Sequence, residues 1–292
     1  MTPPSPVLRL PEWARKGNPL SPEARPLRML LREERLVTVC EEARCPNLSD
    51  CFARGTATFM LLGDRCTRRC GYCSVSTAKP LPPDVDEPGR VAEAAARLRL
   101  RYVVLTAVAR DDLDDGGAAH FAATVGAIRA RLPEAQVEVL TPDFLGDEAA
   151  LHTVLAAAPD VFNHNIETVP RLFPRVRAQG GYERSLDVLG AIKRLRPEQR
   201  TKSGLMVGLG ETDAEIDTVL HDLRARDVDI VTLGQYLRPT RDHAPVDRYV
   251  TPEGFEALAG RARALGFPTV YSGVFVRSSF NAEEVAGRAL LA

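Results

Sequence analysis

The sequence has almost no charge imbalance: 38 Lys and Arg face 39 Asp and Glu, a formal net charge of −1. That leaves no strong field to hold the chain on nucleic acid or on an anionic membrane, so neither is expected as a partner. Long apolar runs are also missing. The N-terminus, MTPPSPVLRLPEWARKGNPLSPEARP, is rich in proline and charge, and the apolar stretches elsewhere are strand-sized. A cytoplasmic chain with neither export signal nor membrane span is expected. The five histidines, at 120, 152, 164, 221 and 243, show no metal-ligand spacing, so a zinc hydrolase is not indicated. Low-complexity segments are absent. Cysteine is absent after position 73; all six lie between Cys40 and Cys73. A chain of this size without an export signal does not use such a cluster as a disulfide framework, and metal binding is the better expectation.

From about residue 57 onward, short β-rich runs alternate with amphipathic stretches. The runs are 58–64, 102–108, 137–142, 161–167, 202–209 and 229–236. Helices are expected near 88–99, 117–131, 147–157, 183–195, 212–225 and 252–265. Six β/α units predict an α/β fold, a partial TIM-type (β/α)6 barrel of parallel strands with right-handed crossovers. A doubly wound sheet is the rival, disfavoured because polar residues recur late in the strands. The division expected is 1–56 as an N-terminal extension, 57–265 as the barrel and 266–292 as a C-terminal extension.

CTRRCGYCSV, residues 66–75, places three thiols on one loop after the first barrel strand. Three ligands leave a tetrahedral zinc site incomplete, whereas a four-iron cubane tolerates three when a small molecule takes the last iron. The CxxxCxxC spacing, with Tyr72 before the last cysteine and a β/α repeat behind it, resembles the radical S-adenosylmethionine superfamily. The resemblance implies a [4Fe-4S] cluster on Cys66, Cys70 and Cys73. Its open iron would chelate S-adenosylmethionine and deliver the electron that makes a 5′-deoxyadenosyl radical. GLMVGLGE, 204–211, fits the superfamily's glycine-rich strand, with Met206 expected against adenine.

A second triad, CEEARCPNLSDC, spaces Cys40, Cys45 and Cys51 as CxxxxCxxxxxC. Together with VLTAVARDDLDDGGAAHFAATVGAIR (104–129), NHNIETVPRLFPRVR (163–177), YERSLDVLGAIK (182–193), TKSGLMVGLGE (201–211) and VYSGVFVRSSF (270–280), it resembles the lipoyl synthase family over about residues 28–285. The resemblance implies an auxiliary [4Fe-4S] cluster on Cys40, Cys45 and Cys51, with Ser279, in preference to Ser278, as its fourth ligand. An alkoxide is a hard donor for iron in a sulfide-rich cluster, which suits a corner meant to be dismantled. On the residues alone, Ser278 and Ser279 would be a turn before a helix capped by Asn281 and Glu284. Phe280 and Val274 stand where the family usually shows tyrosine and proline.

The implied reaction is sulfurtransfer, with two sulfur atoms inserted into a protein-bound octanoyl-lysine to make lipoyl-lysine. Implied partners are the octanoylated carrier domains of 2-oxoacid dehydrogenases and of glycine cleavage, a flavodoxin or ferredoxin electron donor, and a cluster-assembly carrier. Another sulfur-inserting radical enzyme, a relative unable to complete the second insertion, and a mere iron-sulfur or zinc scaffold are the alternatives.

On a strand, Asn163, Asn165 and Glu167 share one face and His164 and Ile166 the other. The resemblance makes Asn165 and Glu167 cofactor contacts, and Tyr72, Thr106 and Lys202 weaker candidates, with Ser203 and Gln235 near strand ends. Arg68 and Arg69 are expected to be solvated. The run Asp111, Asp112, Asp114 and Asp115 reads as a solvated loop capping a helix in preference to a magnesium site.

Overall fold

The computed structural model describes residues 8–16, 22–54 and 57–282. Among these, eight strands form one sheet in chain order: β1 Val37–Thr38, β2 Thr58–Leu61, β3 Tyr102–Ala107, β4 Gln136–Leu140, β5 Val161–Asn163, β6 Arg200–Val207, β7 Ile230–Gln235 and β8 Thr269–Gly273. From β2 to β8 every pairing is parallel, and β1 alone runs antiparallel, against β2. The helices are α1 Arg25–Glu33, α2 Val39–Glu42, α3 Leu48–Ala53, α4 Glu87–Arg97, α5 Ala118–Arg131, α6 Glu148–Ala156, α7 Phe173–Val176, α8 Tyr182–Leu195, α9 Asp213–Arg224 and α10 Pro252–Ala264. β2 to β7 are the six expected strands in a partial barrel. β1 and β8, which the periodicity did not predict, extend its two edges.

Local chemistry sets the helix starts. Asp115 accepts from the Gly117 and Ala119 amides at the head of α5, Thr212 and Glu215 form a capping box on α9, and Thr251 precedes Pro252 on α10. One strand face then packs outward: Val103, Leu105, Val139 and Phe162 meet Phe121, Val125 and Ile128, while Leu205, Val207 and Leu233 meet Ile216, Leu220 and Phe255.

The inner face is different. Tyr102, Val104, Val161 and Ile230 line its floor with Ala282 from the tail, beside a buried polar knot. There the Lys202 ammonium lies 3.0 Å from both Glu138 oxygens, and the same carboxylate accepts from the Tyr102 hydroxyl at 2.8 Å and the Asn163 amide at 2.9 Å. A buried carboxylate needs this degree of satisfaction to stay charged.

The tail after β8 lies against the same inner face. A Cβ on Gly234 would fall 2.1 Å from the Val276 carbonyl oxygen, and one on Gly204 would fall 2.7 Å from the Ser278 hydroxyl. Glycine in β6 and β7 is therefore what makes room for the tail.

Candidate active site

The loop carrying Cys66, Cys70 and Cys73 leaves β2 through two left-handed residues, Leu62 at φ 66° and Gly63 at φ 87°. It is held by backbone bonds from several directions. Cys66 N donates to Ser76 O at 2.8 Å, Thr67 N to Ala109 O at 3.0 Å, and Gly71 N to Val176 O at 2.8 Å. On another side Ala244 N donates to Gly71 O at 2.7 Å, and a ring nitrogen of His243 meets Cys73 O at 3.0 Å. Arg68 is not solvated, contrary to expectation. It is buried, with paired 2.8 Å bonds to Asp111 and a 2.6 Å bond to Asp143. Burial raises the Asp143 carboxyl, but the Arg68 bonds outweigh it and hold the group well below the usual range. These partners lie 43 and 75 residues away, beyond what a local motif reveals. Arg69 is exposed as expected. Of the acidic run, Asp111 serves Arg68, Asp112 pairs with Arg110 and Asp115 caps α5.

The second triad is built on two short helices. Thr38 caps α2, which carries Cys40; Arg44 at φ 50° turns the chain; and Cys51 sits in α3. Cys45 N donates to Cys40 O at 3.0 Å and Cys51 N to Asn47 O at 2.9 Å. Two bonds fix this segment beside the first loop and the tail: Ser74 Oγ to Glu42 O at 2.6 Å, and Asn47 Nδ2 to Phe275 O at 2.7 Å.

None of the six cysteines forms a disulfide. Burial, then Cys45 and Cys51, pushes the Cys40 thiol far up; burial and its loop neighbours push Cys73 up to about 12; and burial raises Cys70 although Arg177 opposes it. Sulfurs in such surroundings are poor free thiolates and good partners for cationic iron. Among the described residues no group of three or more His, Cys, Asp or Glu side chains is arranged to hold a metal ion. Ser279 is half-buried, and among the described residues its hydroxyl has no hydrogen-bond partner.

β5 ends at Asn163, short of the strand expected to 167, yet the predicted alternation persists. His164 and Ile166 turn outward and Asn165 and Glu167 inward. Glu167 has φ 68°, a costly conformation for this residue, and is held there by Glu167 N to Gly204 O and Met206 N to Glu167 O, each 2.9 Å. Asn165 Nδ2 donates to Glu167 Oε1 at 3.0 Å, and the Tyr72 hydroxyl lies close enough to Glu167 and Cys70 to favour their charged forms. Burial raises the Glu167 carboxyl, with Arg177 opposing. Met206 is half-buried on the same inner face, and Thr106, three strands away on β3, donates to Leu140 O at 3.0 Å. The structure thus brings Tyr72, Asn165, Glu167 and Met206 together. It commits Lys202 instead to Glu138 on the barrel floor. Ser203 faces outward, accepting from Ile166 N, and Gln235 ties the loop after β7 by bonds to Arg248 O and Val250 N. In GLMVGLGE the glutamate is structural: Glu211 accepts from Gly208 N and Leu209 N at 2.7 and 2.8 Å.

Three residues that sequence reasoning passed over complete the geometry. Arg177 donates to Asn165 O at 2.9 Å and lies near Cys70 and Glu167. His243 latches Cys73, and Arg277 feels the charges of Cys45 and Glu167, which oppose the burial that pulls its guanidinium down. Arg177 and Arg277 sit inside quoted motifs, so their place beside matched residues was the available signal. Of the two departures, Phe280 lies under Lys16 and Arg54, 5.5 and 5.7 Å from the ring centroid, a role that needs no hydroxyl. Val274 occupies the second position of a turn closed by Val276 N to Gly273 O, where proline is also at home. Asn281 donates to the Tyr271 hydroxyl at 3.1 Å; Glu284, its expected capping partner, lies outside the described residues.

His164 gives a pH test of this layer. Burial, then Arg177, holds its pKa down at about 4, with Asp143 and Thr141 O opposing. A base whose pKa is depressed on folding gives stability that is complete above pH 6.5 and lost as pH falls towards 4, here about 3 kcal/mol in full. Urea titrations of His164→Asn should show a flatter stability profile than the parent across that window; parallel profiles would contradict the assignment.

A cavity of about 810 Å³ opens beside Cys45, between the leader and the loop after β7. Leu10, Pro46, Leu48, Leu237 and Val246 make it apolar, and Arg44, Arg238 and Arg241 make its rim basic.

The comparisons with known proteins agree with this geometry. Residues 60–223 match the model of the radical SAM superfamily. A lipoyl synthase of Nitratidesulfovibrio vulgaris Hildenborough is 55% identical over 279 residues, spanning 96% of this chain and 93% of that protein. One of Methylobacillus flagellatus is 53% identical over 287 residues, spanning 98% and 88%. Among solved structures, methylornithine synthase superposes with a TM-score of 0.52 at 15% identity, over 94% of this chain and 93% of that one, a likeness of fold. No described helix is long and apolar enough to cross a membrane. With near-complete coverage at more than half identity, and with both triads, the glycine-rich strand and the serine pair in order, this chain belongs to the lipoyl synthase family of the radical SAM superfamily.

Proposed function

We propose that the chain inserts two sulfur atoms, at carbons 6 and 8, into an octanoyl group carried on the N6 of a protein lysine, forming lipoyl-lysine. Cys66, Cys70 and Cys73 would hold a cluster that, when bound, supplies the electron cleaving S-adenosylmethionine to 5′-deoxyadenosine and methionine, while Cys40, Cys45, Cys51 and Ser279 would hold the sulfur-giving cluster. Aliphatic C–H bonds lack acidity, so no side chain here acts as a base on them. The protein's work is to bind, orient and exclude water. Asn165 and Glu167 would take the polar part of S-adenosylmethionine and Met206 the adenine, with Tyr72 and Thr106 walling the same pocket.

The observation that carries this reading is the adjacency of three segments. Ser74 bonds Glu42, Asn47 bonds Phe275, and Arg277 of the tail lies near enough to both Cys45 and Glu167 to feel their charges, which supports the reading that both triads and the serine tail border one region. An acyl arm must reach both in sequence. Anaerobic reconstitution with iron, sulfide, S-adenosylmethionine and reductant should give deoxyadenosine and a peptide heavier by two sulfurs as the dithiol, which loses two hydrogens only when air oxidation closes the disulfide ring. Deoxyadenosine without that mass gain would reject the substrate; zinc alone in the sites, without cleavage, would reject the chemistry.

The arm would enter through the cavity beside Cys45, where an apolar wall suits an octanoyl chain and the rim suits an acidic carrier face. Among the described lining residues Glu41 is the lone carboxylate, while Arg44 and Arg241 have no ion-pair partner. Lipoyl domains of 2-oxoacid dehydrogenases and the glycine cleavage carrier are the carriers proposed, a flavodoxin or ferredoxin the electron donor, and a cluster-assembly carrier the source of renewed sulfur, all in the cytoplasm. Arg44→Glu with Arg241→Glu should raise KM for an octanoylated carrier roughly tenfold at low salt, and less at high salt, while a short octanoyl-lysine peptide is processed as before. An equal loss with the peptide would contradict the docking role.

A further inference from the structure

The adjacent serines of the tail have different surroundings. Ser278 Oγ lies 2.8 Å from Asn165 Oδ1, across 113 residues of chain, whereas the Ser279 hydroxyl has no partner among the described residues. With Glu167 ionised, one orientation of the Asn165 amide satisfies both neighbours. Its Nδ2 faces the Glu167 carboxylate at 3.0 Å, which accepts but does not donate, so Oδ1 faces Ser278 and the serine hydroxyl is the donor. Gly204 closes the third side, where a Cβ would stand 2.7 Å from Ser278 Oγ, 2.8 Å from Asn165 Oδ1 and 2.9 Å from Thr232 Oγ1. A continuous set of contacts therefore runs from the tail through Asn165 and Glu167 to Tyr72 and the Cys70 loop.

We propose that Ser278 is a positioning residue for the cofactor side of the site, its hydroxyl fixing the amide of Asn165 that in turn holds the Glu167 carboxylate. The tail then has two functions from two neighbouring hydroxyls: Ser279 serves the auxiliary triad and Ser278 serves the S-adenosylmethionine pocket. This rests on the reading of Asn165 and Glu167 as cofactor contacts. Loss of the Ser278 hydroxyl leaves Asn165 Oδ1 without its donor and free to exchange places with Nδ2, which would set an N–H against the tail and a carbonyl against the carboxylate. Because such coupling is reciprocal, bound cofactor also favours the seated tail.

The test is equilibrium binding of S-adenosylmethionine to unreduced, iron-reconstituted protein, with iron content and limited proteolysis of the tail measured on the same samples. Ser278→Ala should weaken binding about five- to tenfold with iron content unchanged. Ser279→Ala should lower the iron held by the auxiliary triad with cofactor affinity unchanged. In an Asn165→Ala background the Ser278 substitution should have no further effect on binding, and S-adenosylmethionine should protect the tail from protease in the parent but not in Ser278→Ala. A merely structural peg would lower affinity, iron and tail protection together, and would do so equally in the Asn165→Ala background; that result overturns the proposal. Unchanged affinity in Ser278→Ala, with Asn165→Ala and Glu167→Gln both weakened, overturns it while sparing the reading of the pocket. Unchanged affinity in all three variants removes both.

Discussion

Cys70→Ala should abolish both deoxyadenosine formation and sulfur insertion, whereas Cys45→Ala should abolish sulfur insertion alone and leave cofactor cleavage within a few-fold of the parent. The separation is expected because the two triads occupy different scaffolds. The Cys70 loop is fixed by its own backbone bonds to Ser76, Ala109, Val176 and Ala244, none of which involves Cys45. Cys45 is the better probe of the second triad: it is half-buried, while Cys40 is 6% exposed within the main core, and its loss would mix a packing defect with the chemical one. Reverse-phase quantitation of deoxyadenosine and mass spectrometry of an octanoyl-lysine peptide read the two activities. Sulfur gained by the Cys45 variant would show that the second triad is not the donor's holder; cleavage by the Cys70 variant would disprove the role of the first.

Gly234→Ala should likewise remove sulfur insertion while leaving the barrel folded. The added carbon would stand 2.1 Å from the Val276 carbonyl oxygen and 3.1 Å from its carbonyl carbon, backbone atoms that cannot rotate aside. Overpacking of this kind costs about 1–3 kcal/mol. The strand is central, paired with β6 and β8, so the tail yields first. Its displacement carries Ser279 away from Cys40, Cys45 and Cys51. The expected result is a parent-like circular dichroism spectrum, cofactor cleavage retained at saturating S-adenosylmethionine but with the weaker binding expected when Ser278 leaves Asn165, a protease-sensitive tail and no lipoyl product. Gly126→Ala, where nothing lies within 4 Å, is the control and should not change activity. A fully active Gly234 variant would mean that the tail need not sit where it is seen.

The barrel was legible because its signal is repetitive. Expected helices at 117–131, 183–195 and 252–265 correspond to α5, α8 and α10, and the alternation of NHNIE correctly separated His164 and Ile166 from Asn165 and Glu167. β8 was missed because TVYSG falls beyond the six β/α repeats, in the stretch expected to be a C-terminal extension, and the early end of β5 because nothing local announces a glutamate with positive φ. The cysteines could be grouped from spacing alone. The partners of charged residues could not: Arg68 and Asp143, or Lys202 and Glu138, meet only after the strands have been arranged, and no periodicity encodes which cation reaches which anion.

The bond from Asn47 to Phe275 joins residues 228 positions apart. During synthesis on the ribosome, the first three cysteines emerge early and must wait for nearly the entire chain before Ser279, their proposed fellow ligand, exists. The loop at 66–73 needs only the segments up to Ala244 for its contacts. Iron delivered to a nascent chain therefore finds one nest ready well before the other, and maturation of the second belongs to the period after translation has passed Ser279.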